Sequence, residues 1–518
     1  MIENIKIKCC LCEKKHLLHT VIIEKREDQL VPINHSIYPL LGYFKCKKCG
    51  NFITILCSDE QNIHEINGGV LTKSFIKDPA FNTCFFEIIP NEDDSMDETP
   101  SKIENSDFHF CICSKNYDLE KINQISDEWI IFPTPDFQSV DNLREFTPYD
   151  DASNADFTKK GIREKINDFV KNIESKEGYQ ESVSKIDAGS QMFFVSNYPV
   201  EWFRKNDVPL SFLSDVCRYP MKNYDDLQSY LDKIKDNHFF IDDNILKETW
   251  VIMCSPNDPD MHQGYFVQML TFEEMGFKNY KFIYNKNQLM DFLNTTPIKL
   301  LIVDSHGSYN SSLSQTEISI GQNEWLKPDD VKSLKKTIPL VFLSACFTNP
   351  PQKFDETIAE AFLDKGSYSV TSTYMAMDVY NGMQMICRIL NSLRYNQKYQ
   401  IHRNWLDFIA HLTRSVKAAS LIKNKCTDDA KQIQETIEIL LSLKEKLGVE
   451  EQKAIDNAVQ RKEFDELMSV EQGLVQHYPC VREEIYQNWL NNNVVNQNSE
   501  MLFYSHLGRP DLAKFKYT

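Results

Sequence analysis

The sequence predicts an α/β protein: a mostly parallel sheet flanked by helices, preceded by a small cysteine-rich module and interrupted by a helical insertion. Three observations lead there. From Trp250 onward, short apolar runs bounded by Pro and polar residues alternate with stretches of helical spacing, the pattern of buried parallel strands joined by helices. Two of those runs end on reactive side chains. Near the N-terminus, four cysteines stand as two C-x2-C pairs.

The two reactive runs carry the argument. One reads Ile298-Lys-Leu-Leu-Ile-Val-Asp-Ser-His306-Gly307, and the next Ile338-Pro-Leu-Val-Phe-Leu-Ser-Ala-Cys346. In open α/β sheets ligands bind beyond the carboxyl ends of the strands, so His306 and Cys346 are expected on one sheet edge. A thiol beside an imidazole is the minimum equipment for nucleophilic catalysis by cysteine, because the thiolate attacks and the imidazole promotes loss of the proton. Gly307 lacks Cβ and lets backbone approach a ligand closely. Its N–H and that of Cys346 could form an oxyanion hole, an arrangement worth roughly 10²–10³ in rate per donor. Either residue alone would read as core packing, since Cys is among the most buried residue types. The pair at two strand ends is what points to chemistry.

The ordered set resembles the CHAT family of cysteine peptidases, in the caspase/separase/gingipain clan. His306-Gly307 and Leu343-Ser344-Ala345-Cys346 match the ends of two of its strands. Thr357 to Gly366 resembles the helix and glycine after the family's cysteine, and Ser367 to Asp378 its next strand and acidic turn. The family usually carries Trp where this chain has Tyr374, which bears on the shape of the substrate pocket. The resemblance covers roughly 250 to 395. It implies a caspase-like sheet and a Cys346/His306 dyad with no catalytic cofactor. It also implies a regulated bacterial effector in antiviral defence or programmed cell death. Its substrate would be a partner protein, such as a gasdermin-like pore former or another neighbouring-gene product. Asp378 falls where related enzymes form the pocket for the residue before the cut, and a carboxylate there would favour Arg or Lys. The other reading of Asp378 is an N-cap for the helix from Val379. Asp304 is expected on the same strand face as His306 and could orient the imidazole.

In chain order, residues 1–60 read as a zinc-ribbon-like module. Cys9-x2-Cys12 and Cys46-x2-Cys49, separated by 33 residues, fit structural zinc bound by four thiolates. Cys10 could replace Cys9, and His16 or His19 could stand in for a thiol. Lys6, Lys8, Lys14, Lys15, Lys45, Lys47 and Lys48 make the segment locally basic, more simply a solvated face than a nucleic-acid contact. Residues 61–245 form an α/β or α+β regulatory or degenerate protease-like region, with an acidic loop at Asn91–Pro100 and Cys111 and Cys113 in its core. Strands are expected at Glu128–Phe132 and Gln191–Val195, and helices at Lys159–Ser175 and Tyr224–Asp236.

The core, 246–398, begins with a strand at Trp250–Ser255, a helix at Gln263–Gly276, a strand at Tyr280–Tyr284 and a helix at Asn287–Asn294. The two reactive strands follow. Between them lie a hairpin around Thr316–Gln322 and a helix from Lys327-Pro328, with Pro suited to the first turn. A long helix is expected at Val379–Tyr395. Residues 399–495 read as the helical insertion, with apolar Ile433, Ile437, Leu440, Leu441 and Leu447 at helical spacing. Residues 496–518 hold a closing strand within Met501–Pro510 and a tail.

Composition bounds the rest. At 518 residues the chain exceeds the roughly 250–300 residues of a single core. A net charge of −18 argues against non-specific nucleic-acid binding. No run approaches the roughly 18 apolar residues of a membrane span, and Met1-Ile-Glu-Asn-Ile-Lys has no apolar secretion signal. Fifteen cysteines in such a chain read as reduced thiols and metal ligands, which places the protein in the cytoplasm. The competing functional reading is a catalytically silent zinc-containing adaptor that binds protein partners.

Overall fold

The structure, a computed structural model, describes residues 108–114, 123, 126, 128–136, 159–220, 224–235, 239–255, 258–310, 313–321, 324–350, 356–375, 377, 379–399, 402–423, 437–438, 440–444, 447–461, 470 and 504–517, together with five strands before residue 57. They divide into two compact units, Met1–Asn91 with Pro256–Lys278, and Glu92–Ser255 with Asn279–Thr518.

In the first unit, Ile5–Lys8 pairs antiparallel with Lys15–Leu18, and Arg26–Ile33, Ser36–Lys45 and Phe52–Leu56 form an antiparallel three-stranded sheet. Cys9, Cys12, Cys46 and Cys49 lie outside the described residues, as does the acidic stretch 91–100. The helix expected at Gln263–Gly276 spans Pro259–Glu274, and Gly276 just beyond it has φ +67°, a left-handed geometry that glycine reaches without strain.

The second unit is built on one sheet of ten strands. Across the sheet they run Tyr280–Ile283, Thr249–Cys254, Leu300–Asp304, Leu340–Ser344, Ser369–Thr373, Tyr504–Gly508, Asp215–Tyr219, Gln191–Ser196, Phe108–Cys113 and Trp129–Ile131. The first five are mutually parallel. Tyr504–Gly508 is antiparallel to Ser369–Thr373 and parallel to Asp215–Tyr219, and the last four are again mutually parallel. This is the expected mostly parallel sheet with helices on its faces. The central strands Leu300–Asp304, Leu340–Ser344, Ser369–Thr373 and Tyr504–Gly508 are buried at every position; the first two accordingly read as near-continuous apolar runs, whereas the last two bury hydroxyl and imidazole groups.

The topology contains a repeat. In the C-terminal half, four strands follow in the chain as Thr249–Cys254, Tyr280–Ile283, Leu300–Asp304 and Leu340–Ser344, and lie side by side in the order second, first, third, fourth. In the N-terminal half, Phe108–Cys113, Trp129–Ile131, Gln191–Ser196 and Asp215–Tyr219 take the same order. Because the antiparallel junction reverses direction, the carboxyl ends of the two sets open on opposite sheet edges. The segment 108–245 therefore extends the sheet of the core.

Local sequence explains the helices that flank it. Asn285 caps Lys286–Thr295 by accepting from the Gln288 N–H at 2.9 Å. Thr357 and Glu360 form a reciprocal capping box on Ile358–Asp364, at 3.1 and 3.3 Å. The long helix runs Val379–Tyr399, and Trp405–Lys423 and Val449–Arg461 follow within the insertion. Of the insertion's expected apolar stripe, Ile437, Leu440 and Leu447 are buried while Leu441 is 44% exposed. Among the described residues no helix is long and apolar enough to cross a membrane.

Candidate active site

His306 stands two residues beyond Leu300–Asp304, and Cys346 two residues beyond Leu340–Ser344. The two strands are neighbours with Asp304 opposite Ser344, so equal overruns bring both residues to the same edge. Both are partly exposed, while Asp304, Ser305, Ser344 and Ala345 behind them are buried. The pairing continues one step past the strand, where the Ser305 N–H donates to the Ser344 carbonyl at 3.1 Å.

Gly307 provides the closest link. A Cβ placed on it would lie 1.8 Å from the Cys346 carbonyl oxygen and 2.8 Å from the Cys346 backbone N. The backbone after His306 thus lies directly on the backbone of Cys346, a separation only glycine permits. Gly307 also opens the antiparallel strand Gly307–Asn310, which pairs with Gln315–Gly321 and through it with Glu324–Leu326. The expected short hairpin is therefore three-stranded. The Ser319 N–H donates to the His306 carbonyl at 2.8 Å, and the Ser305 hydroxyl donates to the Ser319 carbonyl. That pattern makes Gly307 and Ile318 a pair that exchanges no hydrogen bonds, so the Gly307 N–H is directed away from the Ile318 strand.

Cys346 sits in a sharp turn. Phe347 has φ +54°, a left-handed conformation costing a bulky residue about 1–2 kcal/mol, and its buried ring in the core offsets that cost. Thr348 and Thr373 clamp the turn to the next strand. The Thr373 hydroxyl donates to the Ala345 carbonyl at 2.6 Å, and the Thr373 N–H to the Thr348 hydroxyl at 2.9 Å. The Asn349 N–H donates to the Thr373 carbonyl at 3.0 Å.

The sulfur has partners of its own. The Met377 N–H donates to Cys346 Sγ at 3.3 Å, and Sγ lies 3.8 Å from the Met377 carbonyl oxygen. An N–H aimed at sulfur favours the thiolate. Met377 just precedes the helix Val379–Tyr399, whose Gly382 packs on the cysteine strand: a Cβ there would lie 2.6 Å from Ser344 Oγ. Asp378 lies outside the described residues.

Sequence reasoning missed the groups around Tyr374. That residue is fully buried, and its hydroxyl donates to Glu201 and accepts from Arg218 Nε at 3.0 Å. Glu201 and Arg218 form an ion pair at 3.3 Å, both side chains 2% exposed. The signal was present: Arg218 interrupts an otherwise apolar Val216-Cys217…Tyr219 run, and a charge inside a buried strand requires a partner.

No family model matches the chain, and no curated protein matches it significantly in sequence. Among solved structures, the Arg-specific cysteine proteinase gingipain R (RGPB) overlays with a TM-score of 0.38 at 12% identity, covering 79% of each chain. The complex of Porphyromonas gingivalis RgpB pro- and mature domains overlays at 0.35 and 13% identity, covering 78% of this chain and 79% of that one. A structure described only as a protease overlays at 0.34 and 11% identity, covering 60% and 72%. These likenesses are distant, and the functional conclusion below rests on the chain's own residues.

Proposed function

We propose that the chain is a cysteine endopeptidase with a Cys346/His306 dyad. The observation that carries this reading is the contact between Gly307 and the Cys346 backbone, which fixes the histidine-bearing turn against the cysteine-bearing turn. In the reaction the Cys346 thiolate adds to the scissile carbonyl carbon. The N–H groups of Gly307 and Cys346 bind the resulting oxyanion. As the C–N bond breaks, the imidazolium of His306 gives its proton to the leaving amine, and a thioester remains on Cys346. Water, deprotonated by His306, then hydrolyses the thioester and releases the carboxylic acid product.

The finer reading follows the resemblance of these motifs to CHAT proteins. The enzyme is a regulated bacterial effector in antiviral defence or cell death, acting on one partner protein, with a gasdermin-like pore former encoded nearby as a candidate. Asp378 would select Arg or Lys before the cut. For the N-terminal segment we propose structural zinc on Cys9, Cys12, Cys46 and Cys49. Metal analysis of the purified chain tests it: zinc should be present and should be lost on Cys9→Ser with Cys12→Ser.

The protease test is co-expression of wild type or Cys346→Ala with neighbouring gene products, followed by mass-spectrometric mapping of new N-termini. Cuts made by the wild type alone support the enzyme, and Arg or Lys before them supports Asp378. The same cuts from Cys346→Ala would sink the assignment.

A further inference from the structure

Where the two halves of the sheet meet, four segments contribute to one buried polar circuit. Glu201 comes from the short helical turn Val200–Trp202, Arg218 from Asp215–Tyr219, Ser505 from Tyr504–Gly508, and Tyr374 from the end of Ser369–Thr373. Arg218 Nε donates to the Tyr374 hydroxyl at 3.0 Å and to the Ser505 hydroxyl at 3.2 Å. Those hydroxyls in turn donate to the two oxygens of Glu201, that of Ser505 at 2.8 Å. Arg218 Nη1 donates to the Ser196 carbonyl at 3.1 Å. The Trp202 ring meets the Tyr374 ring edge-on at 5.2 Å. The two hydroxyls each accept from Arg218 Nε and donate to Glu201, so both protons are directed by charged partners.

Tyr374 of the circuit is three residues before Met377, whose N–H reaches the Cys346 sulfur. Tyr374 and Met375 are buried, and Met377 supplies the N–H that donates to Cys346 Sγ. A span of three residues is at most roughly 11 Å of chain, so an anchor at Tyr374 limits where that N–H can go. A buried ion pair is a poor stabiliser compared with apolar side chains of the same volume, whereas it fixes geometry well. The N-terminal half shares the catalytic half's strand order, and in this circuit it reaches across the junction to the loop that solvates the nucleophile.

Resting on the peptidase reading above, we propose that Tyr374 is a positioning residue, through which the buried Glu201–Arg218 pair of the N-terminal half sets the Met377 N–H against Cys346. Loss of the Tyr374 hydroxyl frees the loop, weakens the N–H···S contact and lowers the thiolate fraction at neutral pH.

The test measures the rate of Cys346 alkylation by iodoacetamide against pH, following the Cys346 peptide by mass spectrometry. Tyr374→Phe keeps the ring and should move the midpoint up by about one pH unit. It should also lower kcat, by roughly ten- to a hundredfold with little change in KM. Ser505→Ala removes the arm contributed by the closing strand while leaving the Tyr374–Glu201 and Tyr374–Arg218 bonds, and its midpoint should stay with the wild type. Glu201→Gln gives the same readout as Tyr374→Phe should the latter fail to fold. An unchanged midpoint in folded Tyr374→Phe or Glu201→Gln, or an equal shift in Ser505→Ala, would overturn the proposal. Alkylation does not depend on peptide cleavage. A wild type that cuts nothing would count against the peptidase, while the midpoints would still decide the role of Tyr374.

Discussion

The two halves of the ten-stranded sheet share a strand order and differ in what ends their strands. In the C-terminal half the third strand runs on to His306-Gly307 and the fourth to Cys346. In the N-terminal half the corresponding strands run on to Asn197-Tyr198 and to Pro220, with neither a histidine nor a cysteine at those positions. One topology thus carries the Cys346–His306 pair on one edge only. The N-terminal half is closely packed: Phe132, Phe169, Phe194 and Phe203 form a core cluster that also takes in Phe347, Tyr374 and Met375 from beside the Cys346 turn. A fold supplies edges and support, and function resides in the few residues placed there.

Five substitutions sharpen that contrast: Gly178→Ala is the control for the first, and the other four come in falling order of expected effect. Gly307→Ala should be the most damaging, because its methyl would collide with the Cys346 carbonyl. Peptide cleavage should fall by at least about 10²-fold. The comparison glycine is Gly178 of the N-terminal half, where a Cβ meets nothing within 4 Å, although φ +84° still strains an alanine. Gly178→Ala should therefore leave turnover within a few-fold while lowering stability modestly. Equal losses of turnover in the two variants would mean that the Gly307 contact has no special role.

Arg218→Ala leaves Glu201 buried without its cation, and should cost about 3–5 kcal/mol in urea unfolding. A cost below about 1 kcal/mol would mean that the junction is not the rigid element described. His506 lies in the closing strand Tyr504–Gly508, buried, beside Thr371 Oγ1 at 3.2 Å. Burial, with the positive charge of Arg414 beside it, pushes its pKa down to about 3. The folded protein therefore binds fewer protons than the unfolded one between about pH 3 and 6.5, so stability must fall as pH drops through that window. The contribution of His506 should reach about 2 kcal/mol at pH 5, and His506→Gln should remove it from the pH dependence of chemical unfolding. The smallest effect is expected for Thr357→Ala, about 1 kcal/mol, since it loses one capping bond at the helix behind the site. That variant should leave cleavage unchanged.

Much of the C-terminal half was legible in the sequence, because strands such as Leu300–Asp304 and Leu340–Ser344 read as apolar runs with helical spacing between them. Leu300–Asp304, Leu340–Ser344 and Tyr504–Gly508 fall inside the expected segments, and the closing strand pairs across a long insertion that sequence order would otherwise hide. The N-terminal half was harder. Asp215–Tyr219 carries an Asp and an Arg, and periodicity does not reveal a strand whose charges are neutralised by residues far along the chain, Arg414 for Asp215 and Glu201 for Arg218. Phe108–Cys113 was identified as core through its cysteines, without its pairing to Gln191–Ser196. At the site, His306, Gly307 and Cys346 were visible because side-chain chemistry marks them. Met377 contributes a backbone N–H, which every residue type except proline could supply, so no reading of side chains would select it.

The most direct test of the central claim is covalent trapping of the purified chain with a peptidyl acyloxymethyl ketone, with the adduct located by peptide mapping. The account predicts one dominant adduct, on Cys346, lost in Cys346→Ala and strongly slowed in His306→Ala. An adduct on another of the fifteen cysteines, or labelling of Cys346 at the same rate without His306, would contradict the dyad.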